Sequence, residues 1–323
     1  CVCLLLIGPT VKAAHEIHTI QVHQHPLSLV SWEMMADSEK PVIVLLSGPI
    51  DSWHSDSAWW AALGPALARD YQVLAIDRAG INTDYLEAPV GYRHFAEDLQ
   101  QVFTHFEIQN AMLIAFASSN ISLQLYLHRY PKEQAIRKVL MIDPDVLTEF
   151  SITRYSEDAQ PFKDNLVDYL AYIDAGKYTE RMVQKNTIDR GLLETLALKD
   201  ADIDWGLVDK MFDGRLKINN QRNLFREIAG YSEDLKAAVN LPWPEHIGLT
   251  IIDTDFELTY IEKTDDSALK AKLEAWRQDG QEYYKKLVQE ANQGRYISVD
   301  SHAHLYQFAD PNHVLEILRT LAR

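Results

Sequence analysis

The chain has 323 residues, enough for two domains of ordinary size or for one large domain that carries an insertion. With 47% hydrophobic and 24% charged residues, its composition excludes a disordered, collagenous or coiled-coil protein. Asp and Glu number 47 against 31 Lys and Arg, so the net charge is −16. Because such a surface repels phosphate backbones, we expect no nucleic-acid partner.

The chain opens on an apolar run that contains both of its cysteines, Cys1 and Cys3. The absence of later cysteines excludes a disulfide scaffold, a thiol nucleophile and a cysteine metal site from the main body. Val11 and Ala13 are small residues at the spacing that a signal peptidase reads, so we predict that residues 1–14 are the remainder of a secretory signal. A short buried strand is the alternative. The prediction implies an exported protein, periplasmic or secreted.

Eight short apolar or alternating runs predict strands. They cover residues 18–22, 27–34, 41–47, 71–76, 111–115, 138–142, 249–253 and 295–299. Helical patterns lie between them, with Phe95, Leu99 and Val102 on one face of an early helix and Val314 and Leu318 on one face of the last. Strands that alternate with helices favour a mostly parallel sheet covered on both faces. No run approaches the roughly 20 apolar residues of a membrane span, so none is predicted.

The alternation stops between residues 147 and 246, where only helical patterns occur. We interpret this stretch as a helical insertion between two strands of the sheet. Its end is marked by Pro242 and Pro244, which prevent a helix from continuing into the next strand.

Ligands of open parallel sheets bind at the carboxyl ends of the strands, so the turns there are the first places to search. The run at 41–47 is followed by Gly48, Pro49 and Ile50. Gly48 allows close approach of a ligand, and its N–H or that of Ile50 is a candidate donor to an oxyanion, whereas proline has no N–H. A plain tight turn is the alternative interpretation.

The strand at 111–115 runs directly into a helix that ends in the letters R-Y-P at Pro131. This segment resembles the strand–turn–helix of the α/β-hydrolase superfamily, in which the turn reads small-x-nucleophile-x-small. The spacing of that family, counted back from Pro131, places the nucleophile position at Ala117. Ala115 and Ser119 are then the two small residues.

An alanine has no group that attacks a carbonyl, so Ala117 departs from the family pattern. Three explanations stay open. A serine was replaced by engineering, or catalysis was lost naturally, or Ser118 attacks instead. The third would place the bulky Phe116 at the tight position of the turn.

The segment after residue 299 carries two histidines and a proline, and it is similar to the segment around the catalytic histidine of many α/β-hydrolases. The spacing to Pro311 selects His304 over His302. An imidazole with a pKa near 6.5 takes and returns a proton at neutral pH, as acyl transfer requires.

A carboxylate that orients this histidine is expected after a strand. The resemblance puts it nearest Glu257, with Asp255 next, both after the strand at 249–253. Asp143, after the strand at 138–142, is a further candidate.

Four histidines, His15, His18, His23 and His25, crowd the first strand and its turn. No carboxylate cluster beyond Glu16 accompanies them, so we predict no metal site. No motif in the sequence leads us to expect a cofactor.

The resemblance implies an α/β fold with a doubly wound, mostly parallel, eight-stranded α/β-hydrolase sheet. Residues 15–146 and 247–323 would form this core, and residues 147–246 a helical cap or lid of the esterase-like type. The implied activity is acyl transfer from an ester or amide of a small molecule, by a catalytic triad.

In that mechanism a hydroxyl at position 117 attacks, and His304 acts as base and then acid. The N–H groups of Ser118 and of Gly48 or Ile50 stabilise the oxyanion. With Ala117 we expect little or no turnover. The alternative is a non-catalytic protein of the same fold that binds a small apolar or acyl ligand in its cleft.

Overall fold

Eight strands form a single sheet in the computed structural model, which describes residues 15–34, 38–48, 57–131, 135–197 and 202–322. The strands are β1 (His15–Val22), β2 (His25–Trp32), β3 (Val42–Ser47), β4 (Gln72–Ile76), β5 (Ala111–Phe116), β6 (Ile136–Ile142), β7 (Gly248–Asp253) and β8 (Arg295–Ser298). Their order is β1-β2-β4-β3-β5-β6-β7-β8. β2 is antiparallel to both of its neighbours and all other pairs are parallel. The prediction of a mostly parallel, eight-stranded α/β sheet is confirmed.

Helices cover both faces of this sheet. Those outside the stretch between β6 and β7 are α1 (Leu63–Leu67), α2 (Tyr92–His105), α3 (Ser119–Arg129), α9 (Glu257–Lys263), α10 (Ser267–Glu290), α11 (Tyr306–Ala309) and α12 (Pro311–Ala322). Successive residues of a strand point to opposite faces, and in β3 Ile43 and Leu45 join one apolar core while Val44 and Leu46 join the other. Burial on both faces explains why the central strands are continuous apolar runs. The sheet is doubly wound, as predicted.

The described residues between β6 and β7 form five helices. They are α4 (Glu149–Asp164), α5 (Leu166–Asp174), α6 (Lys177–Leu196), α7 (Trp205–Arg215) and α8 (Ile218–Ala238). Thr148 starts α4 by accepting a hydrogen bond from the amide of Ser151 at 3.2 Å. Aromatic residues build a small core of their own here, in which Tyr178 packs edge-on against Phe225 at 5.0 Å between ring centroids. The division of the chain at residues 147 and 246 stays a prediction.

Two sequence predictions fall outside the described residues, namely the signal segment at 1–14 and the oxyanion role of Ile50. Within the described ranges, no helix is long and apolar enough to cross a membrane. The same ranges contain no group of three or more His, Cys, Asp or Glu side chains that could hold a metal ion.

A buried ion pair joins the sheet to α8. The Arg78 guanidinium, which follows β4, donates to the carboxylate of Glu227, and the two side chains are 2% and 5% exposed. Arg78 also donates to Ser122 Oγ at 3.1 Å and lies over the ring of Tyr92 at 4.5 Å. Removing one partner of such a pair leaves an uncompensated charge in a low-dielectric environment.

We therefore expect Glu227→Gln to lower the free energy of unfolding by about 3 kcal/mol, within the range for breaking a buried pair. Urea denaturation at neutral pH measures this. The control is Glu233→Gln on the same helix, whose side chain is 73% exposed and 3.9 Å from Lys163. Its effect should stay within about 0.5 kcal/mol. Equal effects of the two substitutions would contradict a structural role for the buried pair.

Candidate active site

The turn between β5 and α3 is the centre of the site. Its residue Ala117 has a left-handed backbone, with φ of 50°. The amide of Ala117 donates to the carbonyl of Ile142 in β6 at 3.1 Å, which holds the turn against the neighbouring strand. Non-glycine residues rarely adopt this conformation, and those that do often lie in functional sites. We call residues 116–119 the elbow, and its tight position is Ala117, as the sequence spacing indicates.

Gly48 lies against the elbow but does not have the expected role. Its amide donates to the carbonyl of Phe116 at 3.1 Å, so this N–H continues the β3–β5 ladder and is occupied. A Cβ on Gly48 would stand 2.7 Å from the amide nitrogen of Ser118 and 2.6 Å from that of Ser119. Gly48 is therefore required for close packing of two backbones, and the expectation that its N–H serves as an oxyanion donor is corrected.

Ser118, the alternative nucleophile, does not reach the same space as Ala117. Its side chain is buried at 2% exposure, and a Cβ on Gly48 would lie 2.2 Å from its hydroxyl oxygen. The hydroxyl therefore points towards β3. Ser118 is the N-cap of α3, where the first N–H groups have no partner within the helix. Its amide therefore remains a candidate oxyanion donor.

His304 is held by a carboxylate that follows β6. Its Nδ1 donates to Asp143 Oδ2 at 2.9 Å, and the Asp143 side chain is 1% exposed. The amide and the hydroxyl of Thr254 donate to the same carboxylate at 2.8 and 2.6 Å. These bonds compensate a buried negative charge and fix its direction. The remaining nitrogen of His304, Nε2, is thereby the one left to act as a base.

This pairing corrects the expectation that Glu257 or Asp255 orients His304. Asp255 forms a two-pronged ion pair with Arg277, whose Nη2 donates to it at 2.6 Å. Glu257 begins α9 and lines the same cavity as His304. His302 also lies apart, because its ring bonds to the backbone carbonyl of Asp255 at 3.2 Å.

Two aromatic rings enclose the His304 imidazole. Phe256 lies 4.1 Å from it between ring centroids at an interplanar angle of 35°, and Phe116 of the elbow lies at 5.0 Å. Their contact restricts rotation of the imidazole and shields the Asp143 bond from water. His304 keeps 19% of its side chain exposed, on the side of the cavity.

A cavity of about 520 Å³ opens over Ala117 and His304. α4, α8, α9 and α10 supply much of its wall. Its lining residues are Ala117, Asp143, Pro144, Asp145, Arg154, Tyr155, Asp158, Tyr231, Phe256, Glu257, Tyr260, Lys263, Thr264, Leu269, Leu273, Trp276, Tyr284 and His304. This size and this mixture of aromatic and polar groups are typical of small-molecule sites.

Two buried carboxyl groups in the cavity have raised pKa values. Burial raises the pKa of Asp145 to about 6, although a bond from Tyr231 and the nearby His304 act in the opposite direction. Burial, followed by the charges of Asp143, Asp253 and Asp255, raises the pKa of Glu257 to about 8. Glu257 is therefore mostly a neutral carboxylic acid at pH 7, able to donate a hydrogen bond.

Comparison with solved structures gives the same fold over nearly the whole chain. Cfl2 from Burkholderia cenocepacia is 17% identical, covers 96% of both chains and has a TM-score of 0.62. An epoxide hydrolase of the alpha/beta hydrolases superfamily from hot-environment metagenomes is 12% identical, with a TM-score of 0.60 over 95% of this chain and 98% of that one. The chain has the α/β-hydrolase fold. An epoxide hydrolase from Bacillus megaterium is 17% identical, with a TM-score of 0.59 over 95% of this chain and all of the other.

At these identities the likeness to α/β-hydrolases concerns the fold alone. Neither a protein-family model nor a curated protein matches the chain by sequence.

Several cavity residues of this α/β-hydrolase fold were not among the candidates from the sequence. Arg154 and Tyr155 on α4, Tyr231 on α8 and Trp276 on α10 all face the cavity. Their helical patterns predicted helices but gave no sign of which residues would face the sheet edge. The sequence did give one indication that Asp145 lies in the site, because Asp145 is two positions after Asp143, which directly follows β6.

The raised pKa of Glu257 predicts a specific dependence of stability on pH. Between its ordinary value of 4.5 and about 8, the folded state holds a proton that the unfolded state releases. Stability therefore falls as the pH rises through this window and is level above it. Glu257→Gln removes this loss, so we expect the variant to match the parent near pH 5 and to be more stable near pH 9. The gain is on the order of 1.4 kcal/mol for each pKa unit of the shift.

Urea denaturation at acid, neutral and alkaline pH measures the difference. Glu262→Gln, an exposed position on the same helix, is the control and should follow the parent at every pH. A constant difference between Glu257→Gln and the parent would contradict the raised pKa.

Proposed function

We propose that the cavity is a hydrolase-type site for an ester or amide of a small molecule, shaped for acyl transfer to a serine at position 117. The observation that supports this is the pairing of His304 with the buried Asp143 at 2.9 Å, on the wall of the cavity that Ala117 also lines. A histidine fixed by a carboxylate beside a left-handed elbow is the arrangement in which a hydroxyl nucleophile is activated.

In the proposed reaction a hydroxyl on residue 117 loses its proton to His304 Nε2 and attacks the carbonyl carbon. Asp143 accepts the Nδ1–H bond, holds the imidazole in that tautomer and stabilises the imidazolium. The amide of Ser118 donates to the oxyanion, and His304 returns the proton to the leaving group, which departs and leaves an acyl-enzyme. Water that loses its proton to His304 then attacks the acyl-enzyme, which releases the carboxylic acid and restores the hydroxyl. With Ala117 these groups bind and orient the molecule, but no acyl-enzyme forms. The helices at residues 147–246 serve as the cap.

Replacement of the methyl group by a hydroxyl should therefore restore the missing step. We expect Ala117→Ser to hydrolyse p-nitrophenyl acetate or butyrate at least on the order of 10³-fold faster than the parent, since loss of a triad nucleophile costs more than this in a known serine hydrolase. A fluorophosphonate probe should label residue 117 in the variant and leave the parent unlabelled.

Ala117→Gly is the control, because it relaxes the left-handed turn without adding a nucleophile. Labelling of the parent at Ser118 would contradict the proposal. Some structural neighbours are epoxide hydrolases, so styrene oxide is added to the p-nitrophenyl esters as a test substrate. It is tested with Ala117→Asp, because carboxylates also form covalent intermediates.

The identity of the orienting acid has its own test in the Ala117→Ser background. Asp143→Asn should lower kcat by roughly 10⁴-fold, by analogy with the loss of the aspartate in a Ser-His-Asp triad, where the wrong imidazole tautomer results. Asp255→Asn is the matched control, because its carboxylate bonds to Arg277, and it should change kcat by less than about tenfold. A larger effect of Asp255→Asn would favour Asp255, the second of the acids that the sequence indicated after Glu257.

The second candidate is a non-catalytic protein that binds a small apolar or acyl ligand in the same cavity. The observation that favours it is the occupied N–H of Gly48, which the turn after β3 does not offer to an oxyanion. If Ala117→Ser and Ala117→Asp both fail to hydrolyse the p-nitrophenyl esters and styrene oxide, the ligand-binding function replaces the hydrolase function.

A further inference from the structure

One wall of the cavity presents hydrogen-bond donors that have no acceptor. Arg154 on α4 lines this wall, and its Nη1 is buried without a hydrogen-bond partner. No carboxylate among the described residues forms an ion pair with it. The fully buried Arg78 and Arg215 differ, since each has a carboxylate partner, Glu227 and Asp189 respectively. Arg154 is partly exposed and lines the cavity without a counter-charge, so a ligand that supplies one gains affinity.

The Arg154 guanidinium is held in place before any ligand arrives. It lies over the Trp276 ring at 4.1 Å from the centroid. Trp276 is fixed in turn, because its indole N–H donates to the hydroxyl oxygen of Tyr155 at 3.2 Å. A stacked guanidinium keeps its planar fork of donors free for a carboxylate and loses little entropy when it binds one.

Tyr155 contributes a second donor at the same place. Its oxygen accepts from the Trp276 indole and from the amide of Val146, each at 3.2 Å. An oxygen that accepts two bonds still carries its own proton, and no acceptor for that proton occurs among the described residues. Burial holds the pKa of Tyr155 far above its usual value, so the hydroxyl stays protonated.

The acidic groups of the cavity leave this donor surplus in place. Asp145 accepts a hydrogen bond from the Tyr231 hydroxyl at 2.7 Å, and Asp143 is bonded to His304. Burial raises the pKa of Glu257 to about 8, which favours its neutral form at pH 7. Asp158 is exposed to solvent, where its charge is screened. Lys263, also exposed, adds a further positive charge at the rim of the cavity.

We propose that the cavity binds a small molecule that carries a carboxylate, with Arg154 as the anchor and Tyr155 as the second donor. The carboxylate of the ligand lies at the wall that Arg154, Tyr155 and Trp276 form, and the remainder of the molecule extends towards Ala117 and His304. The inference rests on the proposed function in one respect only, namely that the carboxylate and the ester or amide group belong to the same molecule. It names the class of molecule that the site takes and makes Arg154 a specificity-determining residue.

Matched acid and amide probes test this on the unaltered protein. Phenylacetate with phenylacetamide, and hydrocinnamate with hydrocinnamamide, differ in charge but hardly in size. Isothermal titration calorimetry gives each Kd. We expect the acids to bind at least about tenfold more tightly than their amides, a charge-assisted gain of about 1.4 kcal/mol.

Arg154→Gln should remove the preference for the acids and leave the affinity for the amides within about twofold, since the apolar contacts remain. Arg154→Lys keeps the charge without the planar fork and should retain part of the preference, which guards against a folding defect in the first variant. Arg181→Gln, an exposed position on α6, is the matched control and should bind as the parent does.

Equal affinity for acid and amide overturns the inference. So does an acid preference that survives Arg154→Gln, or the absence of saturable binding by every acid tested. None of these results touches the gain of ester hydrolysis in Ala117→Ser. The failure of the inference is therefore distinguishable from the failure of the proposed function.

Discussion

The backbone at Ala117 is left-handed and is kept so by the two strands beside it. The elbow receives a hydrogen bond from Gly48 of the β3 end and gives one to Ile142 of β6. A left-handed alanine costs about 1–2 kcal/mol, so the strands must supply more than this for the turn to persist. Because α3 starts from that turn, the positions of Ser118 and of the cavity floor follow from it.

The same edge of the sheet decides which carboxylate reaches His304. Asp143 also has a left-handed backbone, with φ of 43°, and its amide donates to Ile252 of β7 at 3.0 Å. This bend directs the carboxylate across the end of β7, where Thr254 and His304 both donate to it. Glu257 lies at the start of α9, the helix that follows β7. It is buried without a cationic partner among the described residues, which favours its neutral form. The two carboxyl groups thus differ in their surroundings, since three donors hold Asp143 whereas Glu257 is buried and its pKa is raised.

The sequence predicted the sheet well because burial on both faces makes parallel strands visible as apolar runs. β1 was predicted too short, since it is an edge strand whose first residues, such as His15 and Glu16, are polar and partly exposed. His304 followed from its spacing to Pro311, a local relation. Asp143 was only the third candidate for the partner of His304, and the cavity wall did not follow from the sequence, because both depend on contacts between distant segments. Tyr155 and Trp276, for example, are 121 positions apart.

The retention of a left-handed residue at position 117 also has a genetic consequence. Every alanine codon becomes a serine codon by a single base change, and the two side chains differ by one oxygen atom. The β3–β5 register, the bend at Asp143 and the contact of Gly48 with Phe116 are held by backbone hydrogen bonds, none of which involves the side chain at position 117. In a gene that encodes this chain, one point mutation therefore separates the two states of the site, while the scaffold that would support catalysis is inherited unchanged.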